Sequence, residues 1–401
     1  MAEAALKQQP GIGGWLRWVA VGAALLLAGC ASTRVVPEPS RPPVIEHPAP
    51  RPVSRPIAPG LPQDVERHRV ALLVPLTGPN AGVGRSLANA TQLAILDTKS
   101  ENVRITTYDT AGGAAEAAQH AIADGNRLIL GPLLADEARA VAPIARAAHV
   151  PVLSFSNDAT AAGNGTYLLG YSPTQSIERV VNYAKSTGIA DFAGLVPGGV
   201  YGERSSTSFL RAVESAGGRV VALETYDARA GSLTSAVTKI GRAPYQAVLI
   251  AGSGASAVLA VPIVRHSPAG KTARVLGTEL WNSDSAIGGN AALTGAWFAS
   301  VPNNYYRQYA AKYRDRFGLA PYRLSTLGYD AVLLTVRIAR EWRPGDEFPE
   351  RRLVDRDGFA GLDGAFRFGR DGVAERMLEV QEVRGGTTVP VSPAPANFGG
   401  N

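Results

Sequence analysis

The chain carries very little cysteine or histidine. Of its 401 residues one is cysteine, Cys30, and five are histidine. A lone thiol closes no internal disulfide, and the paired cysteines of a structural zinc site are missing. No His-Glu-x-x-His occurs; His47 and His68 lie in or beside a proline-rich stretch, and His120 and His149 in helix-like ones. A basic block is lacking too. The net charge is +6, but residues 1–69 hold eight Lys/Arg against five Asp/Glu, and the remaining residues 32 against 29. The excess is therefore +3 in each part and spread thinly over the longer one. Without a Lys/Arg cluster interleaved with aromatics, a nucleic-acid partner is not expected.

Nucleotide and hydrolase motifs are also wanting. Gly270-Lys271-Thr272 looks like the tail of a phosphate loop, but Arg265 stands where its first glycine belongs, and it precedes a strand. Gly82-Val83-Gly84 has no third glycine. Gly252-Ser253-Gly254 is not the Gly-x-Ser-x-Gly elbow. No nucleophile and base come together, so the chain is read as non-enzymatic, without catalytic residues, metal or cofactor.

What is present begins with a secretion signal over residues 1–29. Lys7 and Arg17 precede an apolar stretch, Trp18 to Leu27, that is too short to span a bilayer. Leu27-Ala28-Gly29-Cys30 then resembles the bacterial lipobox. The resemblance implies cleavage before Cys30 and lipidation of its thiol, anchoring the protein to a membrane. Lipidation also removes a free thiol that would be a liability in an oxidising compartment. Ala31 and Ser32 bring no aspartate after the cysteine, which resembles the outer-membrane sorting default. Residues 30–66 are rich in Pro and Arg, as in Pro48-Ala49-Pro50-Arg51-Pro52, and read as an extended tether.

The body alternates apolar runs with helical patterns. Val70 to Val74 is continuously apolar, as a parallel strand buried on both faces should be. A helix follows from about Arg85 to Lys99, with Leu87, Thr91, Ala94 and Ile95 on one face. Val103 to Tyr108, Leu128 to Leu130 and Val152 to Phe155 continue the strands, and a second series runs from Gln175 to Phe298. The expected fold class is α/β in two lobes, each a mainly parallel sheet with helices on both faces. Residues 67–173 and 300–390 are assigned to lobe 1, 174–299 to lobe 2, and 391–401 to a flexible tail. A β-hairpin is expected around Phe366 to Gly372, with Leu378 to Val383 strand-like.

Open α/β lobes bind ligands at the carboxyl ends of their strands, in the crevice between them. Thr77, Gly78, Leu133, Ala135, Asp136, Ser154, Ser156 and Asp158 fall in such loops of lobe 1. Tyr201, Gly252, Ser253, Glu279 and Trp281 fall in those of lobe 2. Tyr201 and Trp281 are aromatics able to cover an apolar part of a small-molecule ligand.

Val70-Ala71-Leu72-Leu73-Val74-Pro75-Leu76-Thr77-Gly78-Pro79, Tyr201-Gly202-Glu203 and Phe366-Arg367-Phe368-Gly369-Arg370-Asp371-Gly372 resemble the type I periplasmic binding proteins of the leucine/isoleucine/valine-binding group. The resemblance runs from Val70 to about Val383 and implies a hinged clamp without catalytic residues. Gly131 to Glu137, Val150 to Asn157, Gly277 to Trp281, Gly295 to Ala299 and Gly358 to Phe368 further resemble the penicillin-binding-protein activator lipoproteins. Their helical-repeat domain has no counterpart here. That resemblance implies a peptidoglycan synthase as partner; the broader one implies an ABC permease. Amino-acid binders of this fold resemble one another in a Ser/Thr-rich loop that holds the ligand's carboxylate. Here the matching stretch is Leu133-Leu134-Ala135-Asp136-Glu137, where Asp136 and Glu137 are expected to repel a carboxylate. Ser156 and Asp158 match ligand-contacting positions, and Asp158 adds a further negative charge.

Overall fold

The computed structural model describes residues 67–284, 286–395 and 398. The expected signal peptide, Cys30 and the tether lie outside the described residues. Lobe 1 opens with β1 (His68–Val74), buried throughout from Val70 to Val74. There follow α1 (Ala81–Thr98), β2 (Val103–Asp109), α2 (Ala114–Ala123), β3 (Ile129–Leu130), α3 (Ala135–Ala147), β4 (Val152–Ser154) and β5 (Thr166–Leu168). The strands are all parallel, in the order β2-β1-β3-β4-β5. β1 sits between two neighbours, which is why its sequence is apolar without alternation.

Lobe 2 begins at α4 (Pro173–Ser186) and continues through β6 (Asp191–Pro197), α5 (Val200–Ser215), β7 (Arg219–Tyr226) and α6 (Ser232–Ile240). β8 (Ala247–Ile250), α7 (Gly254–His266), β9 (Arg274–Gly277) and β10 (Trp297–Ser300) complete this passage. The chain then returns to lobe 1 as α8 (Asn304–Phe317) and α9 (Thr326–Ala339), whose Tyr309, Tyr313, Leu327 and Leu334 join the core beside Leu87, Ala90 and Ala94 of α1. A three-stranded antiparallel sheet, β11 (Phe359–Gly361), β12 (Gly364–Phe368) and β13 (Ala374–Arg376), adds Phe359, Phe366 and Phe368 to the same core. The expected hairpin is β12–β13.

The remaining strands depart from expectation. β14 (Glu379–Arg384) and β15 (Thr387–Ser392), whose residues were assigned to lobe 1 and the tail, extend the second sheet instead. Its order is β15-β14-β10-β9-β8-β6-β7. β14 runs antiparallel to β10 with Ala299 opposite Val380. The reason is an otherwise open edge on β10, which β14 covers while burying Val380 and Val383. Arg179 of α4 fastens the new edge by donating to Leu378 O at 3.0 Å and to Ser392 Oγ at 2.6 Å. The chain thus crosses between lobes three times, around 169–173, 300–303 and 376–379.

Both lobes seat the helix after their first strand in the same way. A Cβ on Gly84 would lie 1.8 Å from the carbonyl oxygen of Pro75, and one on Gly202 only 1.6 Å from that of Pro197. Each helix start is pressed onto the end of the strand that feeds it, a distance only glycine permits. Gly202→Ala is therefore expected to lower the unfolding free energy by about 3 kcal/mol or more in denaturant titration. An unchanged midpoint would show that the approach is not needed.

Candidate functional site

The lobe-1 wall of the crevice is built from a ladder of short polar side chains beyond β4. Ser154 Oγ donates to Pro132 O at 2.9 Å and accepts from the Ser156 amide at 3.1 Å. Ser156 Oγ accepts from the Asp158 amide at 3.1 Å. This holds Asp158 in a buried position, where Oδ1 accepts from the amide and hydroxyl of Thr160 at 2.9 and 2.6 Å. Two guanidiniums complete its surroundings. Arg139 Nη2 of α3 donates to Oδ2 at 2.8 Å, and Arg204 Nη2 of α5 makes a very close contact with Oδ1. Arg204 belongs to lobe 2, so the pair spans the crevice. Burial alone would push the Asp158 carboxyl up. The Thr160 hydrogen bonds and the Arg204 charge outweigh it and hold the group below the usual carboxylate range.

The lobe-2 wall presents a second carboxylate in a different state. Tyr201 at the start of α5 shares a hydrogen bond with Thr278 Oγ1 at 2.9 Å and donates to Glu279 Oε1 at 3.1 Å. Glu279 is 6% exposed, and its Oε2 has no partner among the described residues. Burial pushes its carboxyl up to about 7, against the opposing hydrogen bonds. The crevice therefore holds one carboxylate firmly ionised and one poised near neutrality.

The other expected residues fall out differently. Thr77 donates to Asp109 Oδ2 at 2.9 Å and so closes its own loop, with Gly78 at φ +73° in the turn. Leu133 packs against the lobe-1 core, and Ala135 opens α3. Asp136 is exposed and ion-paired with Arg139 at 2.6 Å. Glu137 turns back to cap α3, accepting from the Leu134 amide at 3.2 Å and from Thr110 Oγ1 at 2.9 Å. Of the two acids expected to repel a carboxylate, Asp136 is thus engaged by Arg139 and Glu137 by hydrogen bonds at the helix start, where acidic groups are favourable. Ser253 caps α7 by accepting from the Ser256 amide at 3.2 Å, and a Cβ on buried Gly252 would meet Tyr226 Oη at 2.6 Å. Trp281 is wholly buried against Phe298, ring centroids 5.8 Å apart, in space that Gly277 leaves open. It is a core residue rather than a ligand platform.

Arg139 and Arg204 were not legible as site residues. Arg204 did carry a signal, lying three positions after Tyr201 and hence on the same face of α5. Among the described residues no group of three or more His, Cys, Asp or Glu is placed to hold a metal ion, and no helix is long and apolar enough to cross a membrane.

Two α/β lobes clasping a crevice at their strand ends define a binding protein of the type I periplasmic fold. The family described as periplasmic binding protein matches residues 68–387, and the chain belongs to that family. Among solved structures, it is similar to a branched-chain amino acid ABC transporter ligand-binding protein of Burkholderia xenovorans, with 16% identity over 83% of this chain and 97% of that one, at a TM-score of 0.65. The branched-chain amino acid transporter substrate-binding protein of Streptococcus pneumoniae, solved with isoleucine, is 17% identical over 82% of this chain and 100% of that one, TM-score 0.61. A solute-binding protein of Rhodopseudomonas palustris, solved with 3,4-dihydroxybenzoic acid, is 18% identical over 82% and 97%, TM-score 0.64. An uncharacterised protein of Rickettsia prowazekii is 26% identical over 139 residues, which is 34% of this chain and 37% of that protein's length.

Two outcomes follow from the carboxylates. Arg204→Ala should leave Asp158 with one guanidinium and loosen the crevice, costing about 1–3 kcal/mol and speeding amide hydrogen exchange at residues 158–160 and in the first turn of α5. Unaltered protection would remove the pair from any closing role. For Glu279, the folded state holds the proton more tightly than the unfolded one. Stability then falls as pH rises from the ordinary glutamate value to about 7. Glu279→Gln should change little at pH 4 and stabilise by on the order of 3 kcal/mol at pH 8, read from thermal midpoints at the two pH values.

Proposed function

We propose that the chain is a non-enzymatic envelope lipoprotein, anchored through Cys30, whose leucine-binding-like domain regulates peptidoglycan synthesis by contacting a synthase of the penicillin-binding class. The observation that carries this reading is the Asp158–Arg204 pair. Asp158 stands where amino-acid binders of this fold contact their ligand, yet its charge is taken up by Arg139 and Arg204. A crevice tied shut by its own side chains suits a domain that signals through its outer surface. The activator-like segments around Gly131, Val150, Gly277 and Gly358 support the same partner class, and export to the envelope agrees with the family.

A second reading, delivery of an amino acid or related small molecule to an ABC importer, draws on the other wall. The buried Glu279 carboxylate with an unoccupied oxygen beside Tyr201 offers ammonium-binding chemistry. One similar structure holds isoleucine.

The deciding experiment uses the full chain in detergent. It is titrated calorimetrically with branched-chain amino acids and, separately, immobilised to capture purified penicillin-binding synthases. Saturable synthase capture with no heat from amino acids is the expected result. Micromolar amino-acid binding without synthase capture would overturn the regulator and establish the importer.

A further inference from the structure

Two cavities meet where the chain crosses between the lobes. The inner one, of about 10 Å³, has Tyr171, Gln175, Glu279, Ser300, Arg323 and Arg376 in its walls; that is room for one water-sized body. The outer one, of about 260 Å³, shares Asn282, Ser283 and Arg323 with it.

The two arginines are unusual. Arg323 is 5% exposed and Arg376 7%, and their guanidiniums lie 5.9 and 5.2 Å from the centroid of the same ring, Tyr171. Arg323 works through Nη1 alone, which pairs with Asp363 Oδ1 at 2.8 Å and donates to Thr326 Oγ1 at 2.9 Å. Its Nε and Nη2 have no partner among the described residues. Arg376 donates only from Nη2, to Leu169 O at 2.7 Å, leaving Nε and Nη1 without partners. Among the described residues no carboxylate is within ion-pair reach of Arg376.

The contacting charges do not pair off: Asp363 and Asp330 act on Arg376 only from a distance. Asp363 answers Arg323. The other nearby carboxylate, Asp330, touches neither guanidinium and accepts from the Leu362 amide at 2.7 Å. Burial and the Asp363 charge raise its carboxyl to about 7, so only part of its charge is present at neutral pH. A buried cation left without a contacting counter-charge is costly. Water satisfies stray N–H groups, but an anion also brings a counter-charge into contact with Arg376.

We propose that the inner cavity is an anion seat, in which Arg323 and Arg376 hold a small monovalent anion, either chloride or one oxygen of a carboxylate whose remainder lies in the outer cavity. Singly charged and small are both required. The Glu279 carboxyl in the inner wall and Asp284 and Glu379 in the outer disfavour a dianion such as phosphate or sulfate. The seat uses neither Asp158 nor Arg204, so it stands or falls separately from the synthase reading.

Thermal unfolding of the full chain tests it, with sodium chloride or sodium acetate varied at constant ionic strength against methanesulfonate. A saturable rise in midpoint of a few degrees is expected in one or both series, and its loss in Arg376→Met. Response to chloride alone identifies an inorganic anion; response to acetate identifies a carboxylate head. Flat curves in both series, or an undiminished response in Arg376→Met, overturn the proposal. Should Arg376→Met fail to fold, crystals of the unaltered chain grown in bromide decide: an anomalous peak between Arg323 and Arg376 is expected, and its absence refutes the seat.

Discussion

The buried ion pair between Arg323 and Asp363 is the constraint that fixes the lobe-1 side of the junction. Asp363 comes from the turn between β11 and β12, and Arg323 precedes α9. Tyr171, from the first crossing, donates to Asp363 Oδ2 at 2.5 Å, and Thr326 donates to the same oxygen at 2.8 Å. Asp330 of α9 accepts from the backbone of the β11–β12 turn, and a Cβ on Gly361 would meet its carboxylate at 2.4 Å. Three stretches distant in sequence are thus held by interactions that fail together if one charge is removed. The knot anchors the first crossing, through Tyr171, to the lobe-1 elements around it.

The crevice repeats that logic with an opposite emphasis. At the junction, opposite charges meet away from water and fix a geometry. At the rim, Asp158 receives Arg139 from its own lobe and Arg204 from the other, both partly accessible to solvent. Such a contact is weaker and more salt-sensitive than the enclosed pair at the junction. Glu279, buried without a cation, supplies a group in the crevice whose charge responds to conditions near neutrality.

The fold was largely readable because its strands are buried on both faces. Val70–Val74 and Ala247–Ala251 carry continuous apolar runs, and the helices between show their faces at Leu87, Thr91 and Ala94 or Phe209 and Val213. Sheet membership of β14 was not readable. Leu378–Val383 announces a strand, but its partner is chosen by distant contacts, such as Trp297 Nε1 donating to Glu382 Oε2 at 2.9 Å. Trp281 misled for a related reason: a loop aromatic and a core aromatic look alike until the space beside Gly277 is known. Asp158 and Glu279 were found as acids at strand ends. Their states were not, since these depend on Arg204 arriving from the other lobe and on the closeness of Tyr201.

Three crossings also carry a mechanical consequence. A single linker would let the lobes slide, twist and separate, and two would still allow a shear along the line joining them. The third strand, tied by Arg179 to both edges of the β14–β15 ribbon, leaves rotation about the junction as the soft coordinate. Torque applied at the rim has one angle to act on, so any molecule gripping both lobes reads or sets a single variable, much as a caliper converts width into one scale reading.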